Sequence, residues 1–73
     1  MRPHPDLRYK RTEVALMCEL AGRIIAFAFA MDDGRWELTP IDEDRTVHPD
    51  RAAVLQALFE CTRRYAWAHT TLH

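Results

Sequence analysis

Residues 12–40, TEVALMCELAGRIIAFAFAMDDGRWELTP, decide the fold. The first part, TEVALMCEL, is ambiguous by itself, because short apolar runs fit helix and strand alike. Ala, Leu, Met and Glu favour helix by propensity, and Glu19 with Arg23 would form an i,i+4 pair. Pairing the run with its neighbours separates the alternatives. A two-residue turn at Ala21-Gly22 sets Cys18 opposite Ile25, Leu16 opposite Phe27 and Val14 opposite Phe29, all apolar and on one face. A second turn at Asp33-Gly34 sets Met31 opposite Trp36 and Phe29 opposite Leu38 on that same face. Three strands that agree on one apolar face outweigh helix propensity, so the stretch is expected to be a β-meander. Pro40 ends the third strand, since it has no N–H to give a ladder.

Downstream, IDEDRTV is a charged connection, and PDRAAVLQALFECTRRYAWAH (residues 49–69) carries helical spacing. Val54, Leu55, Leu58, Thr62, Tyr65 and Ala66 fall on one stripe, flanked by Phe59 and Cys61. Gln56, Glu60, Arg63 and Arg64 lie opposite, and Trp67 falls with them. Pro49 suits the first helical position, and Asp50 suits the positive N-terminus of the helix. Upstream, Pro3 and Pro5 break regular structure. Arg2, Arg8, Lys10 and Arg11 make residues 1–11 a basic segment, expected as a flexible arm. The expected fold is α+β: a three-stranded antiparallel β-meander followed by one long C-terminal amphipathic helix on its apolar face (β-β-β-α). Residues 12–73 form a single small domain.

Composition narrows the functional classes. A chain of 73 residues that is 48% hydrophobic and 29% charged is globular in type. At this size it buries only about 60% of its unfolded surface, so its core is marginal without a partner, a metal or a disulfide. The net charge of −1 gives no overall pull toward nucleic acid or anionic membrane. Arg outnumbers Lys, with Lys10 the sole lysine, as in a GC-rich bacterial or phage genome. No apolar run reaches the roughly 18 residues of a membrane span, and MRPHPDLRYKR lacks the apolar core of a signal peptide. A cytoplasmic location is expected, with Cys18 and Cys61 reduced and packed inward.

Chemistry is thinly represented. Ser is absent, as are G-x-S-x-G, a Gly-rich phosphate loop and H-E-x-x-H. The carboxylates Asp32-Asp33 and Asp42-Glu43-Asp44 sit at expected turns, where Asp bonds its own backbone. His69 and His73, four apart, supply two metal ligands where zinc wants three or four. No enzyme activity, metal, cofactor or small-molecule substrate is therefore expected. His48-Pro49-Asp50 matches the tripeptide of J-domain co-chaperones. Here it follows an acidic, strand-like segment containing Pro40, where that family has a basic helix, so it is expected as a helix start.

Two surfaces are expected to bind a protein. The second sheet face would present Ala15, Met17, Ile24, Ala26, Ala28 and Ala30, ringed by Glu13, Glu19, Arg35 and Glu37. One helix cannot cover both faces of a sheet, and a flat apolar face marks an interaction site. On the helix, Trp67 beside Arg64 has the make-up of an interface anchor. The expected function is a small protein–protein interaction module, self-associating as a homodimer. It would act as an accessory subunit or as a phage-type inhibitor by steric occupancy. The alternative is a nucleic-acid-binding regulator using Arg8, Tyr9, Lys10 and Arg11, where an aromatic stands among cations.

Overall fold

A computed structural model describes residues 2–70. The architecture is α+β: an antiparallel sheet with one C-terminal helix against it. The sheet has five strands in sequential order: β1 Leu7–Arg11, β2 Ala15–Leu20, β3 Arg23–Ala30, β4 Trp36–Pro40 and β5 Thr46–His48. The helix α1 spans Arg51–Ala68.

Two of these strands depart from the three-stranded expectation. β1 comes from the segment expected as an arm. Its residues alternate, with Leu7 and Tyr9 turned to the core and Arg8 and Lys10 turned away. That period of two is a strand signal, masked in the sequence by the high local charge. β5 comes from the charged connection and adds a short edge beside β4, pairing Trp36 with His48 and Leu38 with Thr46.

The turn at Ala21-Gly22 forms where expected, closing on the pair Leu20–Arg23. Its residues have φ of 50° and 85°, as a type I′ hairpin requires. Beyond it the register departs from expectation. Cys18 pairs with Ala26 and Glu19 pairs with Ile24, so Ile25 is an extra residue in β3. This β-bulge puts Ile25 and Ala26, neighbours in sequence, both into the core. The bulged carbonyl of Ile25 accepts from the Ile41 N–H at 2.9 Å. The second turn also differs by one residue. Met31 and Arg35 bracket a three-residue loop with Gly34 at φ 89°, so Phe29 pairs with Glu37 and Ala28 with Leu38.

The two irregularities cancel for β2 and β4 but invert β3 between them. Leu16, Cys18, Trp36 and Leu38 face the core as expected. Phe27, Phe29 and Val14, expected inside, lie outside, and Ala26 and Ala28 take their place under the helix. Small residues there let α1 approach the middle of the sheet. Val54, Leu58, Cys61, Thr62 and Ala66 close over them.

Helix α1 begins two residues later than Pro49. Asp50 is its N-cap, with Oδ1 accepting from the Ala53 N–H at 2.8 Å. Thr62, buried in the core stripe, donates to the Leu58 carbonyl at 2.6 Å and accepts from the Tyr9 hydroxyl at 2.8 Å. This bond fastens the edge strand β1 to the helix.

Two substitutions check this account. Asp50→Ala removes the cap and is expected to cost about 1 kcal/mol in chemical denaturation. Ala21 holds a left-handed conformation that suits Asn far better, so Ala21→Asn is expected to stabilise by about 1 kcal/mol. In a domain of this size that raises Tm by about 4–8 °C.

Candidate functional site: the uncovered sheet face

The helix covers one face of the sheet and leaves the other bare. Strand parity fixes what the bare face carries. In register across it stand Lys10, Met17, Phe27 and Thr39, and next to that row Ala15, Phe29, Glu37 and Val47. Arg8, Glu19 and Ile24 form the row on the other side. Phe29 is 53% exposed and Phe27 is 38% exposed, with ring centroids 5.3 Å apart at a tilt of 58°. Ile24 and Val47 are about as open as Phe29. The face therefore presents a central aromatic pair with aliphatic neighbours.

Its two carboxylates are paired with cations, and a further cation, Arg8, bonds to backbone carbonyls. Lys10 Nζ lies 3.0 Å from Glu19 Oε1, and Arg45 Nη1 lies 3.5 Å from Glu37 Oε1. Arg8 Nη1 donates to the carbonyls of Pro5 and Leu7. Beside the bulge the face dips into a depression of about 260 Å³, lined by Ile24, Ala26, Phe27, Thr39, Pro40 and Ile41. That is smaller than the roughly 300 Å³ at which ligand pockets begin.

The residues expected at a protein interface divide into three groups. Ala15, Met17 and Ile24 lie on the bare face. Ala26 and Ala28 do not: they are buried at 2% and 0% exposure, because the bulge turned them inward. Ala30 is exposed but shares the parity of Ala28, at the end of the sheet. The third group, on the helix, belongs to the other layer. Arg64 is exposed and bonds both oxygens of Glu43, at 3.0 and 3.1 Å. Trp67 is half-covered by the N-terminal segment instead of standing free. Its Nε1 donates to the Arg2 carbonyl at 3.0 Å, the Arg2 guanidinium lies 4.4 Å from the ring centre, and the His4 ring packs at 4.5 Å. The structure does not bring Arg64 and Trp67 together with the sheet face.

His4 locks this clasp. It is buried, its Nδ1 accepts from the Asp6 N–H at 3.1 Å, and its Nε2 meets Thr70 Oγ1 at 2.6 Å. An accepting Nδ1 assigns the ring proton to Nε2, which faces Thr70 Oγ1.

The residues expected to bind nucleic acid also separate. Arg8 and Lys10 point to the bare face, and Arg11 is exposed at the end of β1. Tyr9 points into the core, where burial raises its phenol above the usual range even though Thr62 bonds it. It is not a free stacking surface. Phe27, Phe29 and Val47 were not assigned to a surface from sequence. For Phe27 and Phe29 the only local signal is the strict alternation IAFAFA, which marks two faces without saying which is buried.

A second concavity, of about 200 Å³, lies between α1 and the β4–β5 connection, beside His48, Glu43, Glu60, Cys61 and Arg64. It does not activate its thiol. Burial pushes Cys61 up to about 11, the carboxylates Glu43 and Asp42 push the same way, and only Arg64 opposes them. A nucleophilic cysteine needs the reverse balance. Among the described residues no group of three or more His, Cys, Asp or Glu is gathered to hold a metal ion. His73, paired with His69 in the sequence, lies outside the described residues. Among the described residues no helix is long and apolar enough to cross a membrane.

No family model, curated protein or solved structure matches the chain.

The thiol environment predicts a pH profile. Below about pH 10, Cys61 stays protonated and iodoacetamide labels it slowly in the native protein. Labelling is expected to rise steeply only near pH 11 or on addition of denaturant, as read by mass spectrometry. Fast labelling at pH 8 in the folded state would contradict the buried, uncharged environment.

Proposed function

We propose that the chain is a non-enzymatic protein–protein association module that works through the uncovered face of its sheet. One observation carries this: Phe27 and Phe29 stand exposed and adjacent on the central strand, with Ile24, Met17 and Val47 around them. Burying a large apolar side chain contributes about 1.5–3 kcal/mol. Several together can meet the roughly 4–15 kcal/mol that association costs in lost freedom. The mechanism is steric: the module covers, or is covered by, a partner surface. That suits an accessory subunit, or an inhibitor that occupies a site on another protein. It calls for no cofactor and no metal.

The second reading, single-stranded nucleic acid, has one observation in its favour. Arg8 and Lys10 share the face with Phe27 and Phe29, as cations and stacking rings do in such sites. Glu19 on Lys10 and Glu37 beside Phe29 oppose it, because phosphate would meet carboxylate at both.

Site-specific photocrosslinking in cells separates these readings. A photoreactive residue replaces Phe27 in one sample and Glu60, on the exposed side of α1, in another. Protein adducts are expected several-fold more abundantly from position 27. Equal yields from both positions, or adducts to nucleic acid in place of protein, would sink the association reading.

A further inference from the structure

We infer that the partner of this face is a second copy of the same chain, held by Phe29 of each copy seated in the depression of the other. The inference rests on the association reading above and adds its partner and geometry.

Three observations converge. The first is charge. The carboxylates and cations nearest the centre are already paired, Lys10 with Glu19 and Arg45 with Glu37. A centre whose charges are already paired gains little from a charged partner and loses little against a copy of itself.

The second is shape. A two-fold interface uses the same patch on both copies, so any knob on it must meet a hole on the same patch. The face has both on one strand. Phe29 projects on one side of Phe27, about 7 Å along β3 by strand rise. The depression opens on the other side of Phe27, toward Ile24 and Ile41. A two-fold axis that crosses β3 at Phe27, in the interface plane and at right angles to the strands, exchanges knob and hole. It brings each Phe29 over the other copy's depression and sets the two Phe27 rings near the axis. The strands of the two sheets then run nearly in line, the aligned packing that twisted sheets prefer.

The third is extent. Five strands at about 4.8 Å spacing and five residues at about 3.4 Å give a face of roughly 400 Å² in flat projection. Two such faces, with side-chain relief added, approach the roughly 1,000 Å² that a specific interface needs. The depression is also too small for a typical ligand but open to one inserted side chain.

Sedimentation equilibrium on the purified chain across a concentration series tests this. The wild type is expected at twice its 8.6 kDa mass. Phe29→Glu, at an exposed position, is expected to weaken the dimer by about 100-fold or more with circular dichroism unchanged. Thr39→Trp fills the depression without touching Phe29 and is expected to weaken it by about 10-fold or more. This second variant keeps the test decisive should Phe29→Glu lose structure. A wild type that stays monomeric at about 0.5 mM overturns the inference. So does a dimer indifferent to Phe29→Glu, or one lost with Phe29→Glu but kept with Thr39→Trp. A monomer whose position 27 still crosslinks to other proteins defeats the second copy as partner and leaves the association reading standing.

Discussion

The close seat of α1 on Ala26 and Ala28 sets the rest of the structure. A helix can lie low on a sheet only where the side chains beneath it are small. In this chain the smallest run on the central strand alternates with phenylalanine. Once the alanines are under Val54, Leu58 and Thr62, the phenylalanines must point the other way. The extra residue at Ile25 makes this compatible with the hairpin at Ala21-Gly22, and the three-residue loop at Asp32–Gly34 makes it compatible with Trp36 and Leu38 inside. The core is thereby well closed, with Leu16, Cys18, Val54 and Leu58 almost wholly out of water. The two largest apolar side chains of the central strand are left on the surface.

The edges of the sheet are managed in different ways. β1 is tied down by the Tyr9–Thr62 hydrogen bond and carries Arg8, Lys10 and Arg11, charges that discourage a further strand from adding there. β5 is only three residues long, too short to template another chain. The N-terminal segment ahead of β1 folds back to the far end of α1, where His4 and Arg2 pack on Trp67. Edges and helix end are thus protected, and the apolar surface that remains is concentrated on one face. That concentration distinguishes this face from the scattered apolar residues of any protein surface.

Much of this was legible in the residues. The turn at Ala21-Gly22, the strand nature of residues 15–20 and the inward Leu16, Cys18, Trp36 and Leu38 follow from pairing short apolar runs. The core stripe of α1 follows from helical spacing, and Val54, Leu58, Cys61, Thr62 and Ala66 are buried as that spacing requires. The bare apolar sheet face was also legible, because one helix cannot cover two faces, and Ala15, Met17 and Ile24 lie on it. What was not legible was which half of AFAFA it would show. A one-residue slip changes every side chain of a strand from one face to the other, and local pattern is nearly symmetric to that slip. The strands β1 and β5 were hidden for a related reason. Both are short, β1 is charged and β5 follows a charged run, and each exists because a neighbouring strand offers a ladder to complete.

The sequence by itself determined the class of architecture, the helix and its buried stripe, and the presence of an apolar face that the helix leaves bare. These depend on periodicity and on counting layers, which are local or additive properties. Only the tertiary structure decided that Phe27 and Phe29, and not Ala26 and Ala28, form the centre of that face. It also decided that Trp67 lies under its own N-terminal segment. Both outcomes turn on how closely the helix approaches the sheet and where one surplus residue, Ile25, is accommodated. That is a packing constraint between segments distant in sequence, and no single segment encodes it.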